Sequence, residues 1–281
     1  IKNGYRYATC DKFDDAGNNF RSIEAATNDE ILGTIRGVCR ALQKRAETEP
    51  GIDPIEDVQV LCVVNAQSVL GRHNLNKILQ AELNPHGEGG DSHPFRVGDK
   101  VICLKNGPMT VLDHSPGAKP NEFDGYYPTA AARKERYIAN GDMGRVLAVN
   151  PKKIVVKFTH PERVVMVGLP GAGKVRAEDS PDAEGGGWGP VDLGYSVTTH
   201  KSQGSEWPYV LIPIDESDRA KRVVSRELLY TAISRAKKRC ILIGRRGVAD
   251  EWCQTVVMRR RKTFLKERTQ TTIARTKGGA K

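Results

Sequence analysis

Three stretches constrain this chain more than any others: "VQVLCVV" (58–64), "YVLIPI" (209–214) and "CILIG" (240–244). Each is apolar at nearly every position instead of at every second one. A strand of that kind must be covered on both faces, the pattern of a parallel sheet held between helix layers. Helical patterns accompany the three runs. After Thr27 or Asn28 as a cap, with Glu30 near the first turn, Ile31, Ile35, Val38 and Leu42 fall on one face. "LGRHNLNKILQAEL" (70–83) carries Leu75, Ile78, Leu79 and Leu83 on one side. "SRELLYTAISRAKK" (225–238) reads as a helix through Leu228, Leu229, Ala232, Ile233 and Ala236, and "VADEWCQTVV" (248–257) as a last one.

Between these blocks the period changes to two. After the Gly-rich segment 87–91, "KVICLKN" (100–106), "GRVLAVN" (144–150), "KIVVKF" (153–158) and "RVVMVG" (163–168) alternate as short strands, with "NPKK" as a tight turn. The expected fold class is α/β: a parallel-sheet domain with an inserted small antiparallel β module, barrel-like in outline. An excursion, 107–140, interrupts the module and contains "PTAAARKERYI" (128–138), a candidate exposed basic helix. The segment 177–190 has the composition of a linker.

Bulk properties narrow the function classes. The chain has 281 residues, 38% apolar and 28% charged, enough to bury a core. No apolar run approaches the roughly 20 residues of a membrane span, and no signal peptide opens the sequence. The opening at Ile1, without Met, reads as mid-protein. The six cysteines (Cys10, Cys39, Cys62, Cys103, Cys240 and Cys253) form no Cys-x-x-Cys pair, and no metal site is expected. Buried reduced thiols in a cytoplasmic protein are the expectation. Net charge is +10, but residues 259–281 hold nine Lys or Arg against one Glu. That basic tail suits nonspecific nucleic-acid contact or simple solvation.

One motif asks to be a nucleotide site. In "VMVGLPGAGKV" (165–175), Gly168, Gly173 and Lys174 have phosphate-loop spacing, and "VLIPIDE" (210–216) ends like a strand that holds magnesium. Both are imperfect. Val175 stands where a Ser or Thr hydroxyl is needed, Pro181 and three glycines from 185 leave no room for the following helix, and the preceding strand belongs to the period-two series. Pro213 lacks the N–H that the interior of a central strand donates.

Better candidates lie in "TTHKSQGSEW" (198–207) and "ELLYTAISRAKKR" (227–239). The first holds a run of side chains able to bond phosphate or sugar oxygens, with Gly204 permitting close backbone approach. The second carries Arg235, whose guanidinium, pinned by apolar neighbours, suits a phosphate.

"VTTHKSQGSEW" followed by "RELLYTAISRAKKRCILIG" resembles motifs V and VI of superfamily 1 helicases of the RecD type, in order, spacing and letters. "DVQVLCVVNAQSVLGRHNLNKILQAELNP" resembles the motif IV region, and "FRVGDKVICLKN" and "ANGDMGRVLAV" resemble that family's Src-homology-3-like insertion. The resemblance runs from about Phe20 to Gly244. It implies a UvrD-like C-terminal motor domain: the second of two RecA-like domains that close on ATP and Mg2+, both held mainly by an absent N-terminal motor domain carrying the Walker motifs. It implies Arg235 as the arginine finger, and Gln203, Gly204 and Glu206 on the nucleotide side, with Glu206 on the ribose. Thr198, Thr199, His200, Lys201 and Ser202 fall on the side of a single DNA strand. Arg72 is a second phosphate contact, in a region where the family's basic residue also sits one position away, here His73. The implied activity is ATP-dependent 5′ to 3′ travel along single-stranded DNA, dependent on the N-terminal partner domain.

The corresponding domain division is 1–92 for the first part of the motor domain, 93–176 for the β module, 177–190 for the linker, 191–257 for the rest of the motor domain and 258–281 for the tail. The alternatives are a self-contained phosphate-loop hydrolase and a non-enzymatic nucleic-acid-binding module.

Overall fold

A computed structural model describes residues 19–89, 93–114, 126–127, 136–169, 189–257 and 269. Five strands make a parallel sheet in the order β1 (Phe20–Ile23), β14 (Ala236–Ile243), β13 (Trp207–Pro213), β2 (Val58–Cys62), β12 (Ser196–Thr198). Every neighbouring pair in it is parallel. The three apolar runs are therefore its three inner strands.

Alternate residues of those strands feed two separate cores. Val60, Leu211 and Ile241 pack with Ile31, Ile35 and Cys39 of α1 (Asn28–Ala46) and Leu75 and Leu79 of α3 (Arg72–Leu83). On the other face Leu61, Val210, Ile212 and Leu242 pack with Leu228, Leu229 and Ala232 of α5 (Arg226–Ile233) and with Ala249 and Trp252 of α6 (Arg246–Gln254). Emptying such a site, as Ile35→Ala would, costs about 2–5 kcal/mol. The start of α1 is a complete capping box: Glu30 N–H donates to Thr27 Oγ1, and Glu30 Oε2 accepts from the Thr27 N–H. A single turn, α2 (Pro54–Asp57), leads into β2 under an Asp53 cap.

The period-two strands form an antiparallel sheet, β11-β3-β8-β9-β10-β4-β7. Its members are β3 (Lys100–Cys103), β4 (Gly107–Val111), β7 (Arg136–Ile138), β8 (Met143–Asn150), β9 (Lys153–Thr159), β10 (Glu162–Gly168) and β11 (Val191–Leu193). A two-stranded ribbon, β5 (Asp113–His114) with β6 (Tyr126–Tyr127), stands apart from it. The sheet takes in β11, beyond the 93–176 expected of the module: Val191, Asp192 and Leu193 pair with Cys103, Ile102 and Val101.

Three expectations are revised. Arg136–Ile138, expected in a basic helix, is strand β7 paired with Gly107–Met109; residues 128–135 lie outside the described ones. The helix expected to run to Lys238 stops at Ile233, because Ala236 onward joins the sheet beside Trp207. Pro213 sits in a central strand after all, as its last residue, and the next N–H, from Ile214, donates to Ile243 O. The missing proline donor thus falls at the strand's end.

The two sheets share buried polar joints. Asp99 accepts from Gln80, Asn84, the Arg96 N–H and the Tyr195 hydroxyl. Its carboxyl is raised above the usual range, first by burial, with the four hydrogen bonds opposing. Lys100, fully buried on β3, donates to Glu56 O at 3.1 Å and Val58 O at 3.0 Å, and lies 5.8 Å from the Trp207 ring centroid. The described cysteines, Cys39, Cys62, Cys103, Cys240 and Cys253, are buried free thiols. Burial pushes Cys39 and Cys240 up to about 12 and Cys62 to about 11. Among the described residues no helix is long and apolar enough to cross a membrane.

Candidate functional site

The segment 199–206 makes an unusual traverse. Thr198 is level with Cys62, the last residue of β2, whereas Tyr209 is level with Val58, the first. Eight residues between β12 and β13 therefore carry the chain from the C-terminal edge of the parallel sheet back to its N-terminal edge. They descend through short turns, Ser202 N–H to Thr198 O and Ser205 N–H to Ser202 O.

At the upper end the candidate residues divide by exposure. Thr199 and Ser202 spend their hydroxyls inside the protein, on Cys62 O and Thr199 O, and Thr198 is buried. His200 is exposed and Lys201 half-exposed. Lys201 Nζ donates to Asn140 Oδ1 at 2.8 Å, and its pKa is lowered by partial burial first and by Arg72 second.

At the lower end Gln203 and Gly204 are exposed, and Gly204 adopts φ +91, which a side chain resists. A Cβ placed there would meet nothing within 4 Å, so its outer face is open. Arg235 meets this turn. It lies in the joint between α5 and β14, not on the helix proper. Its Nε donates to Thr231 O at 3.1 Å, one terminal nitrogen to Ser205 O at 3.3 Å and the other to Ser234 Oγ at 3.0 Å. The guanidinium is thus held by the helix end and by the glycine turn together. Glu206 is exposed, with Lys237 Nζ at 3.9 Å. A cleft of about 730 Å³ runs from Gly204, Ser205 and Glu206 towards Arg145, Lys157 and His160 of the antiparallel sheet.

Arg72 is elsewhere, at the start of α3 beside the C-terminal edge. It is 3% exposed and gives its Nε to Asn65 Oδ1 at 2.9 Å and a terminal nitrogen to Asp192 Oδ2 at 2.5 Å. His73 lies 3.9 Å from the same carboxylate. This contact ties α3 to β11. Arg72 is thus brought together with Lys201, not with Arg235.

One feature at the C-terminal edge carries no recognisable motif. Asn65, His200, Arg219 and Arg222 line a second cleft at the C-terminal edge; the basic run "DRAKR" was its only sequence signal. Asp215, from the "VLIPIDE" run and two residues past the end of β13, is 3% exposed, and its Oδ1 accepts from the Ser217 N–H. The phosphate-loop candidate starts at Gly168, which ends β10, a strand with antiparallel partners on both sides; residues 170–175, the linker to 188 and nearly all of the tail lie outside the described residues.

Residues 193–243 match the model of the UvrD-like helicase C-terminal domain. Over 216 residues the chain is 32% identical to the ATP-dependent RecD2 DNA helicase of Deinococcus radiodurans, a match covering 75% of this chain and 23% of that protein. It is 41% identical over 270 residues to an uncharacterised protein of Methanocaldococcus jannaschii, covering 88% of this chain and 20% of that one. It is 40% identical over 63 residues to the RecBCD enzyme subunit RecD of Mycobacterium tuberculosis, covering 22% and 11%. The chain spans less than a quarter of the length of each of these relatives. A crystal structure of Pif1 helicase from Bacteroides in complex with ADP-AlF3 and ssDNA aligns with 88% of this chain and 50% of its own, at a TM-score of 0.39 and 14% identity, too low to bear on the site. Residues 193–243 are thus similar to the UvrD-like helicase C-terminal domain, and the chain is similar in sequence to RecD-type DNA helicases.

Proposed function

We propose that this chain is the C-terminal motor portion of an ATP-dependent DNA helicase or translocase, working 5′ to 3′ on single-stranded DNA. The observation that carries the proposal is the corner made by Arg235, Ser205 and Gly204. It combines a cation fixed by backbone carbonyls with an open glycine turn, at the opposite sheet edge from His200 and Lys201. A guanidinium so held can meet charge developing on a transferring phosphoryl group without reorganising. ATP supplies the phosphoryl group.

In this reading Arg235 acts as the arginine finger from across a cleft. Gln203 and Gly204 border the nucleotide, and Glu206, released from Lys237, accepts from the ribose. His200 and Lys201 lie towards the DNA strand, with Thr198, Thr199 and Ser202 shaping the turn that presents them. The traverse 199–206 joins the two edges mechanically. Arg72 serves the DNA side through Asn65, its own charge being met by Asp192. The antiparallel module, as a Src-homology-3-like insertion, guides the strand.

Among the described residues no group of three or more His, Cys, Asp or Glu comes together, whereas Mg2+ that accompanies ATP is held mainly by phosphate oxygens, waters and one or two carboxylates. The proposal assigns that ion, and the phosphate loop, to a first motor domain supplied by the parent protein.

The test is ATP turnover by this chain alone. The proposal expects none above background. Turnover that survives Arg235→Ala and is lost in Lys174→Ala would contradict it and move hydrolysis to residues 168–175.

A further inference from the structure

The second cleft, of about 340 Å³, opens at the C-terminal edge of the parallel sheet. Its floor is the chain leaving β2, Val63 to Ala66, and one wall is His200. The other wall is a short helix, α4 (Asp218–Lys221), with the following Arg222 and Val223. Ser217 caps α4 by accepting from the Ala220 N–H, and Ala220 is fully buried. That anchor fixes the backbone from which Arg219 and Arg222 project, three positions apart and so on one side.

The lining has one chemical character. It contains Arg219, Arg222, His200 and Asn65, and no Asp or Glu. Asn65 commits its Oδ1 to Arg72 Nε, leaving its amide N–H2 as the end that can donate. The remaining surface is apolar, including Val223 at 43% exposure. The larger cleft at the N-terminal edge differs, since Glu56, Asp142 and Glu206 are interspersed with its cations. Donors without carboxylates, beside apolar walls, match a chain of phosphates and sugars bearing flat bases. The volume suits about one nucleotide at a time.

We infer that α4 and Arg222 form, with Asn65 and His200, a contact site for the phosphodiester backbone of single-stranded DNA, Arg219 and Arg222 each meeting a phosphate. The inference rests on the DNA-strand reading above and extends it to a helix outside the recognised motifs. Because Arg222 is exposed and Arg219 half-buried while Ala220 and Val224 carry the packing, the site can be altered without opening the core.

The test is binding of a fluorescent oligo-dT to the full chain across a series of salt concentrations. Arg219→Gln/Arg222→Gln is compared with wild type and with Lys44→Gln/Lys77→Gln, which removes the same charge from exposed positions on α1 and α3. The expected result is a loss of roughly tenfold or more in affinity at low salt for the arginine pair. The slope of log K against log salt should also become shallower by about 1.4, from about 0.7 per phosphate contact. The lysine pair should keep the wild-type slope. If wild type binds oligo-dT and the two double variants weaken it equally, or not at all, the site is refuted while the helicase reading stands. If wild type does not bind oligo-dT at all, the DNA-strand reading fails and the site falls with it.

Discussion

Replacing Lys100 by Met removes a charge enclosed between the parallel sheet and the antiparallel module. Lys100 is fully buried, and burial lowers its pKa from the ordinary 10.5 to about 8, although Glu56, Asp53 and Asp57 pull the other way. At about 1.4 kcal/mol per pH unit, that lowering corresponds to about 3 kcal/mol. The native protein releases this proton near pH 8, and the unfolded chain only near 10.5. Between those values the unfolded chain binds more protons, so this group's contribution to stability rises with pH. Below pH 8 the full cost of the buried charge is present, and above 10.5 it is gone.

The assay is urea unfolding of wild type and Lys100→Met at pH 7 and pH 10.5. Cys and Tyr titrations are common to both proteins and cancel in the double difference. Wild type should gain about 3 kcal/mol on Met between the two pH values. The absolute difference at pH 7 also contains the hydrogen bonds to Glu56 O and Val58 O, each worth about 0.5–3 kcal/mol, so only the pH-dependent part isolates the charge. A double difference under about 1 kcal/mol would refute the argument that Lys100 is desolvated by the joint.

Two further substitutions probe the site's scaffold. Asp192→Ala strands the buried Arg72 guanidinium and should cost about 3–5 kcal/mol in urea unfolding; a loss below about 1 kcal/mol would mean that the pair does not hold α3 to β11. Gly204→Ala meets no steric neighbour but forces a side chain onto φ +91, and should lower the melting temperature by the equivalent of about 1–2 kcal/mol; an unchanged melting temperature would remove the case for strain in that turn.

The inner strands were legible because burial on both faces leaves a continuous apolar run, as in Val58–Cys62 and Cys240–Ile243. The alternating strands of the antiparallel sheet were legible for the converse reason. β1 was not read as a strand, its four residues being too few for a period to show, and the segment that opens at Gly194 and holds the three residues of β12 read only as a strand or short element before a polar loop. The end of α5 was misplaced because Ala236 continues the helical apolar pattern while its backbone pairs beside Trp207, a contact set by a strand 29 positions away. The motif residues could be named from the sequence, but not their separation onto two sheet edges, which depends on register. Arg72 was read as a phosphate contact, and its buried pairing with Asp192 was not, because that partner is 120 positions distant. Lys100 looked like an ordinary alternating strand residue, and no motif marked Arg219 and Arg222. In each case the deciding neighbour is brought in by tertiary packing, which local periodicity does not encode.

The central claim is that Arg235 completes a nucleotide cleft from the outside. It is tested most directly by single-turnover ATP hydrolysis in a protein that joins this chain to the first motor domain the proposed function requires, with and without Arg235→Ala. The account expects the chemical step to slow by about a thousandfold or more with the melting temperature preserved. A rate within tenfold of wild type would contradict it.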